Sequence, residues 1–64
     1  MKRRIIQAVK KAGIAAEVDH VAGKRGEYLV TAQGVAAYEL WQALGEDIQD
    51  VDAIGWGVFK VVVK

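Results

Sequence analysis

Very few side chains in this sequence are equipped for covalent chemistry. Cysteine and serine are absent, His20 is the one histidine and Thr31 the one threonine. Nucleophilic catalysis needs a nucleophile, a base within hydrogen-bond reach and a third group that orients the base. Thr31, His20 and a carboxylate on the hairpin form one conceivable set. Strand alternation puts His20 and Thr31 on opposite faces of a sheet, so the chain reads as a non-enzyme. A metal would need His20 with carboxylates, or carboxylates alone. Asp47, Asp50 and Asp52 are close in sequence, but the glycine and terminal Glu of an EF-hand calcium loop are missing. They read as a helix cap plus solvated charges, and neither a metal nor a cofactor is expected.

Two glycine arrangements bear on phosphate binding. Gly23-Lys24-Arg25-Gly26 offers backbone donors and two cations. A Walker loop runs Gly-x-x-x-x-Gly-Lys-Ser/Thr and opens a helix, whereas this segment joins two strands. Gly55-Trp56-Gly57 reads as a bend into the last strand.

What remains is the placement of charge. The formal net charge is only +1, yet residues 1–11 hold five bases and no acid, and residues 46–52 hold four acids and no base. Arg3 and Arg4 fall in the first turn of a helix, where the helix dipole disfavours cations by roughly a few tenths of a kcal/mol each. Lys10 and Lys11, at the other end, are explained by the same dipole. Contact with nucleic-acid phosphates accounts for the two arginines. The first expectation is therefore a binding module that meets phosphates through Arg3, Arg4, Lys10, Lys11, Lys24 and Arg25, without reading sequence. The alternative is a protein-interaction or homodimerisation module. Leu29, Trp56, Val58 and Val62 would line an uncovered sheet face, and the last strand would offer a free edge guarded by Lys60 and Lys64.

These groups need a scaffold. The chain has 64 residues, read as a single domain over 1–64. A domain of this size buries about 60% of the surface its unfolded chain exposes. With 53% hydrophobic and 27% charged residues, it has the composition of a folded domain. Without cysteine, stability rests on the apolar core or on a partner chain. No apolar run is long enough for a membrane span. Ile5–Val9, cut off by Lys10-Lys11, is too short for a signal core. A cytoplasmic protein with no membrane partner is the expectation.

Residues 2–12 predict an amphipathic helix, with Ile5, Ala8, Val9 and Ala12 on one face and Arg3, Arg4, Gln7, Lys10 and Lys11 opposite. Gly13 stops it. Ile14–Val21 and Glu27–Ala32 alternate as the strands of a hairpin, the second with Tyr28, Val30 and Ala32 inward. Val35–Leu44 predicts a second helix with Ala36, Ala37, Leu40, Trp41, Ala43 and Leu44 on a broad apolar face, capped by Thr31 or Gly34. In 46–54, Ile48, Val51 and Ile54 recur every third residue, which fits a short helical turn. Trp56–Val63 is a last strand with Phe59, Val61 and Val63 inward and parallel to the second strand. The expected fold is α+β, in the order α-β-β-α-(short helix)-β, with a three-stranded mixed sheet and two helices packed on one face. That order invites comparison with the type II KH fold, a single-strand RNA binder. Gly45-Glu46-Asp47-Ile48 lacks the second glycine of the KH clamp and sets two acids where phosphate would lie.

Overall fold

The computed structural model describes residues 2–64. The first helix, α1 (Lys2–Lys11), buries Ile5 and Val9 and leaves its cations in water. Gly13, at φ 78°, reverses the chain, and Ile14 N–H closes the turn on the Val9 carbonyl at 2.9 Å. The hairpin follows, β1 (Ala16–His20) and β2 (Glu27–Ala32), antiparallel, with Val18 opposite Val30 and His20 opposite Tyr28. The inward residues of β2 are Tyr28, Val30 and Ala32, as the alternation predicts.

The second helix, α2 (Ala37–Leu44), starts later than its apolar pattern suggests. Ala36 is its N-cap, in place of Thr31 or Gly34. Alanine has no side-chain acceptor, so the helix start relies on Glu39, whose carboxylate accepts the Ala36 N–H at 3.5 Å. Leu40 is the fully buried anchor of α2.

The largest departure from expectation lies in 46–55. Only Gly45–Asp47 is helical, a single 3₁₀ turn, and Ile48–Gly55 forms a further strand, β3. The sheet has four strands, in the order β1-β2-β4-β3, where β4 is Val58–Val63. The three-residue spacing of Ile48 and Val51 arises from a bulge. Ile48 pairs with Val63 and Asp50 with Val62, so Gln49 is an extra residue, and Ile48 and Val51 both reach the core. A bulge adds one residue to a period of two and so counterfeits a helical period. Ile54 is the extra residue of a second irregularity, between Ala53 and Gly55, and is 54% exposed.

All neighbouring strands are antiparallel, so the expected parallel pairing with β2 is replaced by an antiparallel one to β4. The free edges belong to β1 and β3, and β4 is paired on both sides. That removes the expected sticky last strand. Both helices lie on one face, α1 over β1 and α2 over β3, and they touch each other. One cluster unites Ile5 and Val9 of α1, Leu40 of α2 and the inward residues of every strand. With β3 in place of a third helix, the comparison with the KH order ends.

Candidate interaction surfaces

Three surfaces remain outside the core: the cationic side of α1 with the β1–β2 turn, the open sheet face, and the end of the fold around the β3–β4 turn.

Arg3, Arg4, Lys10 and Lys11 are exposed on α1, and Lys24 and Arg25 are exposed in the β1–β2 turn. The tight turn at Gly13 makes α1 run back along β1, so the start of α1 lies toward the β1–β2 turn. The fold thus brings Arg3 and Arg4 to the end that carries Lys24 and Arg25. Lys10 and Lys11 lie at the other end of the helix, about 9 Å further at 1.5 Å per residue. Arg4 reaches across the surface to the 3₁₀ turn, where its Nη2 donates to Asp47 Oδ2 at 3.1 Å. Among the described residues the only other ion pair is Lys60–Glu27, at 3.8 Å. Arg3, Lys10, Lys11, Lys24 and Arg25 therefore keep their charge for solvent.

The sheet face away from the helices has no element over it. Its cross-strand rows read Glu17–Thr31–Val58, Asp19–Leu29–Lys60–Asp52 and Glu27–Val62–Asp50. Leu29, Val58 and Val62 are half-buried, each flanked by polar or charged neighbours. Five carboxylates stand against Lys60 on this face, which repels phosphate, and interface centres are depleted of charge. His20 lies on the helix side, its ring centroid 5.1 Å from that of Tyr28, while Thr31 is on the open side. His20 and Thr31 therefore lie on opposite faces of the sheet, as the alternation predicts. Asp47 serves Arg4, and Asp50 and Asp52 stand on the open face. Among the described residues no three His, Cys, Asp or Glu converge on a metal site. No helix among them is long and apolar enough to cross a membrane.

The third surface is apolar. Trp56 and Gly57 form the two-residue turn between Gly55 and Val58. Gly57 adopts φ 68°, and a Cβ there would lie 2.9 Å from Gln33 Nε2 and 3.2 Å from the Ala32 carbonyl. Ala32 N–H donates to the Gly57 carbonyl at 2.7 Å, which clamps the turn to the end of β2. The clamped turn holds Trp56 out in water, 98% exposed. Beside it opens a groove of about 460 Å³, walled by Val35, Ala36, Ala37, Ala53 and Phe59. Tyr38, Trp41 and Ile54 are also exposed, at 66%, 42% and 54%. On a helical wheel Tyr38 and Trp41 lie on the flank of α2 away from Glu39 and Ala43. Glu39 and Ala43 face Ala12 and Ile14, so the aromatic flank is turned toward the β3 side.

The apolar face of α2 puts Trp41 toward the core, yet it is 42% exposed, because Leu40 already fills the seat beneath α2. Trp56 belongs here and not to the strip formed by Leu29, Val58 and Val62. The sequence does carry a signal for the region. Residues 28–38 and 53–59 contain no charged residue, and the fold brings the ends of both segments to one groove.

A scan against protein-family models, a search of curated proteins and a search of solved structures each returned no match. The fold is a small α+β domain with two helices on an antiparallel sheet.

Proposed function

We propose that this chain is a non-enzymatic protein-interaction module that docks through its uncharged aromatic end. One observation carries the reading: Trp56 is 98% exposed at the rim of an apolar groove, and Tyr38 and Ile54, each next in sequence to a groove residue, are exposed as well. Exposed cations are solvated and need no partner, whereas an exposed aromatic beside an apolar recess is what interfaces use as an anchor. The anchoring set differs from the strip of Leu29, Val58 and Val62, which charge surrounds. A photo-crosslinking side chain at position 56 tests the reading in cells. Protein adducts at position 56, and none with the same group at Glu17 on the open sheet face, are expected. Absence of protein adducts at position 56 overturns it.

A second reading has its own support. Arg3, Lys10, Lys11, Lys24 and Arg25 have no ion pair among the described residues, which leaves them available to phosphates. It expects binding to a generic oligonucleotide that weakens steeply with salt and drops in Arg3→Gln/Arg25→Gln. No salt-dependent binding, or binding that the double variant leaves intact, removes it.

A further inference from the structure

We infer that the partner at the aromatic end is a second copy of this chain, related by a two-fold axis that lays each Trp56 in the other copy's groove. The inference rests on the reading of that end as the docking surface. Its first support is shape. A two-fold interface uses one patch on both copies, so each patch must complement itself. Here a projection and a recess lie side by side: Trp56 on its clamped turn, and the groove walled by Val35, Ala37, Ala53 and Phe59. A two-fold rotation exchanges them.

Charge supplies the second support, because identical chains always bring identical charges. Pairing through α1 would set cations against cations, and pairing through the open sheet face would set carboxylates against carboxylates. At the β1 edge, an antiparallel copy centred on Val18 would place Glu17 opposite Asp19 of the second copy, an unfavourable cross-strand pair. The β3 edge is broken by irregularities at Gln49 and Ile54, which blunt strand addition. Neither segment at the aromatic end, 28–38 or 53–59, carries a charge. The groove walls and Trp56 are uncharged, so a second copy seated there sets no like charge at the centre of the contact.

The third support is area. An aromatic side chain brings about 150–250 Å². At 98%, 66% and 42% exposure, Trp56, Tyr38 and Trp41 offer roughly 300–500 Å² per copy on that scale. Ile54 and the groove walls add to this. Doubled over two copies, the total approaches the lower end of stable interfaces, about 1,200 Å². The pair is accordingly one that forms and parts with concentration.

Sedimentation equilibrium of the full chain over a wide concentration range tests this, with bis-ANS binding measured on the same samples. The expected result is a mass rising to twice that of the chain and a blue shift of tryptophan emission with concentration. Trp56→Ser should hold the chain at monomer mass and, at concentrations where the parent is also monomeric, melt as the parent does. Arg3→Gln should dimerise like the parent. A dimer that survives Trp56→Ser overturns the inference, since another surface then holds it. A parent that stays monomeric, with bis-ANS binding lost in Trp56→Ser, overturns the second copy while leaving an apolar docking end for another protein. A monomer without Trp56-dependent dye binding removes both.

Discussion

The two ends of the sheet solve one backbone problem and present opposite chemistry. At one end Gly26, at φ 78°, closes the β1–β2 turn, and its carbonyl accepts Val63 N–H at 2.8 Å. At the other, Gly57, at φ 68°, closes the β3–β4 turn, and its carbonyl accepts Ala32 N–H at 2.7 Å. Each turn is tied to a neighbouring strand through a glycine that tolerates the left-handed conformation. The side chains they carry differ: Lys24 and Arg25 on the first, Trp56 on the second. Exposure means different things at the two. Hydrated charge at a turn is in its preferred environment. A fully exposed indole forgoes about 25 cal/mol for every Å² of apolar surface it fails to bury. The aromatic end is thus the more informative half of the molecule, although the cations are the more obvious feature of the sequence.

Variants that act on one end and spare the other sharpen this contrast. Leu40→Ala should have the largest effect. It removes the anchor of α2 and should cost about 2–5 kcal/mol in urea unfolding, with the aromatic end losing order before the β1–β2 hairpin in hydrogen exchange. Gly57→Ala comes next. Its new Cβ crowds Gln33 and Ala32 in a backbone region that costs an L-residue about 1–3 kcal/mol, visible as a lowered denaturation midpoint. Gly23→Ala, with nothing within 4 Å of its Cβ, should lose only the conformational part. Arg4→Gln is milder still. Both partners of the Arg4–Asp47 pair are more than half exposed, so less than about 1 kcal/mol should be lost, and the loss should shrink as salt rises. Trp56→Ser should change the stability of the monomer least, within about 0.5 kcal/mol at concentrations where the parent is unpaired, while abolishing association. A large stability loss there would mean the indole packs against its own chain, and the contrast between the ends would collapse.

Legibility followed from how local each determinant is. The faces of α1, the bounds of β2 and the inward residues of β4 could be read directly, because a period of 3.6 or 2 over consecutive residues encodes them. β3 could not, because the bulge at Gln49 converts its period into one that imitates a helical turn. The exposure of Trp41 has another cause. The apolar face of α2 is wider than the space beneath it, and periodicity shows which residues share a flank but not how much of it finds cover. The cationic set was legible as a list with its two ends, yet the approach of Arg3 and Arg4 to the end that carries Lys24 and Arg25, and the pairing of Arg4 with Asp47, depended on how α1 folds back over β1.

The amino-acid order alone therefore determined an α+β domain with an amphipathic first helix, a glycine-closed hairpin, an inward row of Tyr28, Val30, Phe59 and Val61, and a scarcity of catalytic side chains. Those properties depend on residue type and on spacing within one element. Only the tertiary structure decided that β4 is interior, that the edges are β1 and β3, and that two uncharged segments separated by residues 39–52 share a groove under an exposed tryptophan. Strand order and burial are set by competition among distant segments for one limited core, and no single stretch of chain records the outcome of that competition.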